Sequence, residues 1–116
     1  MKLANSTVYN SINSLAKLSN CDMPIKIAYK IKKNFDVLKK QADFINERRN
    51  ELINKYGKDG KIEQTDTEAV EKFVNDFNEL LAIEEDLKVL PVSMASLGDI
   101  MLSVNDLDNL SFMLKF

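Results

Sequence analysis

The stretch that decides the fold is PIKIAYKIKKNFDVLKKQADFINERRNELINKY, residues 24–56. Along it, one stripe of mostly apolar residues recurs at alternating steps of three and four, which is the spacing of one face of an α-helix. We call this stripe the seam; it comprises Ala28, Ile31, Phe35, Leu38, Ala42, Ile45, Arg49, Leu52 and Tyr56. A helix of this length spans about 50 Å, so the chain is predicted to fold around one long rod with a buried seam.

A second helix is predicted to run back along the first. Gly57 is expected to close the long helix in the left-handed conformation, and the following KDGK, residues 58–61, has turn composition. Thr65 and Glu68 have the spacing of a capping box. The apolar residues that follow at helical spacing are Val70, Phe73, Val74, Phe77, Leu80 and Leu81. Residues 24–56 and 66–83 are therefore predicted to form a long antiparallel αα-hairpin.

Two shorter helices are predicted near the ends of the chain. Ser6 is expected to cap an N-terminal helix that stops near Ser19. Ser103 or Asn105 is expected to cap a C-terminal helix. The first carries Val8, Ile12, Leu15 and Ala16 at helical spacing, and the last carries Leu107, Leu110 and Met113 or Leu114.

Short strands complete the expected fold. Residues 86–92 alternate polar with apolar over part of their length, and Pro91 excludes a helix interior there. A second candidate strand covers residues 100–104, and Lys2 and Leu3 are expected to join both in a small sheet. The predicted fold class is mainly α with a minor β element, in a single domain of residues 1–116.

Composition excludes several classes of function. The chain is 45% hydrophobic and 29% charged, which indicates a folded domain. It contains no histidine, one cysteine (Cys21) and three scattered glycines, so zinc sites, Ser-His or Cys-His catalysis and a P-loop are not expected. The adjacent Glu84, Glu85 and Asp86 are interpreted as a solvated acidic turn. We therefore predict no enzymatic activity, no cofactor and no metal.

Charge is unevenly shared between the two halves of the chain. Residues 1–56 contain eleven basic and five acidic residues, whereas residues 57–116 contain five basic and thirteen acidic residues. Lysines beside the seam form a basic ridge on the long helix. The candidate partner surface consists of Lys32, Lys33, Lys39, Lys40 and Arg49. The alternative is a solvated ridge, or one paired with the acids of the second helix across the hairpin.

Arg49 is unusual because it falls on the seam itself. A charge buried alone there is costly, so three arrangements are considered. The side chain snorkels to water, pairs with an acid such as Glu79, or marks a place where the seam opens toward a partner. The stretch from Met94 to Met113 also offers a soft apolar surface, either for binding or as a cap over the hairpin.

Several stretches resemble a family of small uncharacterised proteins from phages and prophages of low-GC Gram-positive bacteria. They are MKLANSTVYNSINSLAKL, MPIKIAYKIKKNFDVLKK, ERRNELINKYGKDGKIE, FNELLAIEEDLKV and SLGDIMLSVNDLDNLSFMLKF. The resemblance covers nearly the whole chain and contains no catalytic signature. It implies a viral or prophage origin and a compact helical accessory protein.

The leading functional hypothesis is a non-catalytic phage or prophage accessory protein that binds another protein, as an assembly helper, virion component or adaptor. The alternative is an inhibitor of a host defence or regulatory protein, with residues 63–86 imitating nucleic acid. Binding to nucleic acid itself is not expected because the chain is net acidic. No apolar run is long enough for a membrane span, so we expect a location in the bacterial host cytoplasm, with association with the virion as an alternative. A homodimer through uncovered seam, residues 28–38, is also considered.

Overall fold

A long central helix organises the molecule, as predicted. A computed structural model describes residues 1–115, whose dimensions are 50 × 26 × 21 Å. Phe116, the last residue of the predicted domain and of the C-terminal motif, lies outside the described residues. In chain order the elements are β1 (Lys2–Ala4), α1 (Asn5–Ser19), α2 (Ile25–Tyr56), α3 (Thr67–Ala82), β2 (Glu84–Asp86), β3 (Val92–Ser93), a 3₁₀ turn (Met94–Leu97), α4 (Val104–Leu110) and β4 (Leu114–Lys115). The fold is mainly α with a minor β element.

The predicted hairpin of α2 and α3 is present, but two predictions about the segment that joins these helices are wrong. Gly57 does not adopt the left-handed conformation, since its φ is −124°. The tight turn follows instead, where Asp59 and Gly60 have positive φ between the bridged residues Lys58 and Lys61. The predicted Thr65 cap is also wrong, because the Asp66 carboxylate accepts the hydrogen bond from the Ala69 amide at 3.1 Å.

Helix α1 packs along the first half of α2, where Ile31 and Leu38 of the seam are fully buried and Ala28 and Phe35 are half-buried. The expected Ser6 cap is not formed, because the helix begins two residues earlier, after Ala4. The core joins both helices, with fully buried Val8 and Leu15 on α1 and Leu38 on α2. Much of the seam surface considered for a homodimer is therefore covered within the chain, and the homodimer itself stays a prediction.

Burial along the seam is uneven. Ile31, Leu38 and Ile45 are fully buried as predicted, whereas Phe35 and Leu52 are only half-buried. Leu52 lies in the part of α2 that α3 covers, beyond the reach of α1. The second half of α2 therefore has one packed neighbour where the first half has several.

Asn5, the first residue of α1, is hydrogen-bonded both to the end of α3 and to α2. Its backbone amide donates to the Ile83 carbonyl at 2.9 Å and its side-chain amide donates to the Leu80 carbonyl at 3.0 Å. The Asn5 side-chain carbonyl accepts from Gln41 of α2 at 2.9 Å. The Asn5 side chain thus satisfies the Leu80 carbonyl in the last turn of α3, the Asn5 backbone amide satisfies the Ile83 carbonyl just after it, and both bonds anchor the start of α1.

The small β elements differ from the prediction in number and position. β1 pairs antiparallel with β2, so Lys2 and Leu3 do join a sheet. β3 pairs in parallel with β4, through Val92 opposite Leu114. The predicted strand over residues 100–104 is wrong because Ser103 caps α4, accepting from the Asp106 amide at 3.0 Å.

Helix α4 docks on α1 through a buried polar contact. The Ser14 hydroxyl donates to the Asp106 carboxylate at 2.7 Å, and Asn109 donates to the same hydroxyl at 3.2 Å. The Lys17 ammonium lies 3.5 Å from Asp106. Since Asp106 is largely buried, these donors stabilise a charge that would otherwise be costly to bury.

Candidate functional site

Two lysines of the basic ridge are neutralised within α2. Lys32 pairs with Asp36, and Lys39 pairs with Asp43, each at 2.6 Å and one helical turn apart. Such exposed pairs contribute about 0.3 to 0.5 kcal/mol each. Pairing across the hairpin was the expected alternative, but within residues 1–115 no ion pair joins α2 to α3. The polar link between these helices is the Tyr56 hydroxyl, which donates to Asp76 at 2.5 Å.

The remaining candidate residues lie in separate places. Lys33 sits over the ring of Tyr29, with its ammonium 5.3 Å from the ring centroid. Lys40 lines a depression beside Phe44. The five residues of the candidate partner surface therefore do not share one environment.

Arg49 is half-buried and lines a groove of about 470 Å³ with Ile53 and Phe73. Glu79, considered as its partner, lines a different groove together with Arg48. The expected ion pair between Arg49 and Glu79 is therefore not formed. The half-buried position of the Arg49 side chain matches the snorkelling arrangement.

An exposed apolar surface lies at the start of α2. Ile25 is 83% exposed and Tyr29 is 60% exposed, and the two residues are one helical turn apart. With Leu90 they line a depression of about 470 Å³, which Lys26 and Lys30 also border. We call the set Ile25, Lys26, Tyr29, Lys30, Lys33 and Leu90 the N-terminal patch.

The N-terminal patch is basic as well as apolar. In the part of the chain that the structure describes, Lys26, Lys30 and Lys33 make no ion pair. The ammonium of Lys33 contacts the face of Tyr29, which is a cation–π arrangement. Unlike Lys32 and Lys39, these three lysines therefore keep charges that a partner can neutralise.

Of the residues in the N-terminal patch, the sequence-based candidate surface contained only Lys33, and it missed the other two lysines and the apolar residues beside them. The available signal was the spacing of Ile25, Tyr29 and Lys33, which places all three on one side of the helix. Leu90 carried no comparable signal. It reaches the patch because its backbone is bound to Asn34 of α2.

A second exposed groove lies between α2 and α3. Its floor contains Leu52, Leu80 and the half-exposed Ile83. Its volume is about 380 Å³. The charged residues that border it are Arg48, Glu51 and Lys55 on α2, with Asp76 and Glu79 on α3. We call this the hairpin groove.

The acidic cluster at residues 84–86 forms β2 and not a turn. Alternate strand residues point to opposite faces, so Glu85 is directed away from Glu84 and Asp86. Asp86 lies 3.0 Å from the N-terminal amine of Met1. Among residues 1–115, no group of three or more histidine, cysteine or acidic side chains is arranged to hold a metal ion.

The methionine-rich stretch mainly caps the core. Met113 and Leu97 are buried against the first half of α2, whereas Met101 is 93% exposed. Cys21 is half-buried in the connector, with its sulfur 3.5 Å from the Lys17 carbonyl.

No family model, curated protein or solved structure matches the chain. Over the described residues, no helix is long and apolar enough to cross a membrane.

Proposed function

We propose that the protein is a non-catalytic phage or prophage accessory protein that binds a partner protein through the N-terminal patch. The proposed partner surface is apolar at its centre and acidic around it. The observation that carries this proposal is the exposure of Ile25 and Tyr29 beside three lysines without ion-pair partners in the described chain.

The chemistry of the patch suits a protein ligand. Burial of Tyr29 and Ile25 on binding provides apolar area, and tyrosine is enriched at the energetic centres of interfaces. Lys26, Lys30 and Lys33 attract an acidic partner and orient it, which raises the association rate and favours the correct register. A patch without the apolar pair would offer only weak, salt-sensitive attraction.

The host cytoplasm, or a virion assembled there, is the proposed location, as the resemblance to phage and prophage proteins implies. The alternative function, imitation of nucleic acid by the acidic residues, has less support. Asp66 caps α3, Glu68 pairs with Lys72, and Asp76 accepts from Tyr56. These carboxylates contribute to the fold, and a phosphate-like array would need them free.

Site-specific photocrosslinking tests the proposal. The full chain carries a photoreactive phenylalanine analogue at position 29 and is produced in a low-GC Gram-positive host. Illumination should join it to one protein, and the mapped adduct should lie in an acidic segment of that protein. The matched control carries the same analogue at position 101, where Met101 is also highly exposed but lies outside the patch.

Charge reversal at the patch completes the test. Combining Lys26→Glu, Lys30→Glu and Lys33→Glu should remove the adduct formed from position 29. The proposal is overturned if the same adduct persists after these changes, if positions 29 and 101 give the same products, or if position 29 crosslinks to nucleic acid alone.

A further inference from the structure

Helix α3 leaves most of its apolar side chains incompletely covered. Although it carries six large apolar residues at helical spacing, Ala69 is its only buried residue within the described chain. Tyr9 of α1 packs edge-on against Phe77 with ring centroids 5.8 Å apart, and Phe77 stacks on Phe73 at 5.7 Å. Those contacts cover one side of α3, while the hairpin groove lies on the side where Leu80 and Ile83 meet Leu52.

Phe44 lies near the hairpin groove but lines a separate depression. Phe44 is half-exposed and lies one turn before Arg48 on α2, with the guanidinium 4.9 Å from its ring centroid. Leu52, Leu80 and Ile83 form an apolar strip along the hairpin groove that another helix could cover. At this end of the molecule α2 packs against α3, without the further helices that cover the apolar face in most helical bundles.

Charges divide the rims of the groove by helix. The α2 rim carries Arg48, Glu51 and Lys55 and is basic on balance, whereas the α3 rim carries acidic Asp76 and Glu79. Arg48 is already paired with Glu51 at 2.8 Å. In residues 1–115, Lys55 and Glu79 have no ion-pair partner.

We propose that a second copy of this chain covers the hairpin groove, forming a two-fold dimer in which α2 packs against α3 of the partner subunit. The α2–α3 hairpins of the two copies then form a four-helix bundle. A two-fold interface must be complementary to itself, because the same surface is used on both subunits. The groove meets this condition, since two-fold pairing brings the basic rim of each copy against the acidic rim of the other.

The proposal fixes one specific charge pair. Lys55 of one subunit faces Glu79 of the partner subunit, and symmetry repeats this contact. The apolar strip supplies the buried area, and the charge pairs set the register. The centre of the groove lies about 35 Å along α2 from the centre of the N-terminal patch at 1.5 Å per residue, so dimerisation and partner binding use separate surfaces.

Sedimentation equilibrium of the full chain provides the first measurement. The wild-type protein should show a species of twice the 13.2 kDa chain mass. Lys55→Glu places two acids against each other at both contacts, and Glu79→Lys places two lysines there. Each change should weaken dimerisation by about tenfold or more, since each exposed contact is modest but occurs twice.

Mixing the two single variants is the decisive experiment. In a mixed dimer, the glutamate introduced at position 55 of one variant meets the lysine introduced at position 79 of the other. The second contact pairs the native Lys55 with the native Glu79, so both contacts become attractive. The mixture should therefore dimerise nearly as well as wild type although neither variant does so alone. An effect confined to one chain cannot produce this recovery.

Glu71→Lys, on α3 but outside the groove, should leave dimerisation unchanged.

Three outcomes would overturn the proposal. The first is a wild-type protein that remains at the chain mass up to about 1 mM, the weak end of measurable association. The second is a dimer that neither charge reversal weakens. The third is failure of the mixed variants to recover while circular dichroism shows both to be folded. Crosslinking at position 29 would be unaffected by any of these results, so this proposal and the proposed function can fail separately.

Discussion

Asn34 of α2 pairs with the backbone of Leu90 through two hydrogen bonds. The side-chain amide of Asn34 donates to the Leu90 carbonyl at 2.8 Å, and the Leu90 amide donates to the side-chain carbonyl of Asn34 at 2.7 Å. Asn34 is fully buried. A carboxamide therefore holds an irregular segment against the helix and satisfies backbone groups that no strand pairs there.

Replacement of Asn34 should be strongly destabilising. Asn34→Ala removes both hydrogen bonds and leaves the amide and carbonyl of Leu90 without their partners, so we expect a loss of about 2 to 4 kcal/mol in the free energy of unfolding. Asn46→Ala, at an exposed position of the same helix, should change it by less than about 0.5 kcal/mol. Urea denaturation of both variants measures the difference. Similar small losses for the two would show that the Leu90 contact contributes little.

The uneven burial of the seam predicts unequal effects of truncation. Leu38→Ala creates a cavity in the centre of the core and should cost about 2 to 5 kcal/mol. Phe35→Ala should cost less than Leu38→Ala because the Phe35 side chain is only partly buried, and Lys33→Ala should stay within about 0.5 kcal/mol. Urea midpoints of the three variants give this order. A larger loss at Phe35 than at Leu38 would contradict the observed burial.

The sequence predicts the hairpin well because its signal is local. Ile31, Leu38 and Ile45 recur at helical spacing, and the buried face of α2 follows from that spacing alone. The residues that cover this face come from distant parts of the sequence, so the spacing within α2 does not identify them. Asn5 and Ser14 read as ordinary polar residues of α1, and their burial depends on partners at Leu80 and Asp106, far away in sequence.

The β elements and the candidate site show the same limit. A two-residue strand such as Val92–Ser93 forms only because tertiary packing brings β4 beside it, and no periodicity can be recognised over two residues. The lysine ridge was visible in the sequence, but its repeat could not reveal which lysines bind a neighbouring aspartate. Lys32 and Lys39 do so, whereas Lys26 and Lys30 do not.

Gly57 should be needed for space and not for an unusual backbone conformation. A Cβ at this position would collide with the Lys61 carbonyl and lie 2.9 Å from the Ile53 oxygen. Gly57→Ala should therefore cost about 1 to 3 kcal/mol by forcing the turn away from the end of α2. Gly60→Asn is the control, because nothing lies within 4 Å and asparagine tolerates positive φ. Thermal melts showing that Gly60→Asn is the more damaging change would refute this explanation.

Asp106 should make stability depend on acid pH. The hydrogen bond from Ser14 is the main cause that lowers the pKa of Asp106 below its ordinary value of 3.8, with a smaller contribution from Lys17, while burial acts in the opposite direction. A lowered folded-state pKa contributes stability above the unfolded value, and this stability is lost as pH falls through the folded value. The destabilisation caused by Asp106→Asn should thus be largest near pH 7 and shrink below about pH 4.

Melting temperatures of wild type and Asp106→Asn between about pH 3 and pH 7 measure this linkage. Asp108→Asn, at an exposed position of α4, serves as the matched control for the loss of one carboxylate. A difference between wild type and Asp106→Asn that stays constant over the whole pH range would show that the charge of Asp106 does not contribute.

The N-terminal patch should not bind nucleic acid, even though three lysines there lack ion-pair partners in the described chain. The chain has a net charge of −2, and both arginines, Arg48 and Arg49, lie far along α2 from the patch, so no guanidinium fork is available there for a phosphate.

Three phosphate contacts would give a log–log salt slope of about −2.7, with binding strongest at low salt. We expect no change in the fluorescence anisotropy of labelled single- or double-stranded DNA at about 50 mM salt. Micromolar binding that disappears when Lys26, Lys30 and Lys33 are replaced by glutamine would instead identify the patch as a nucleic-acid site, because glutamine removes the charges while the apolar surface of Ile25 and Tyr29 remains.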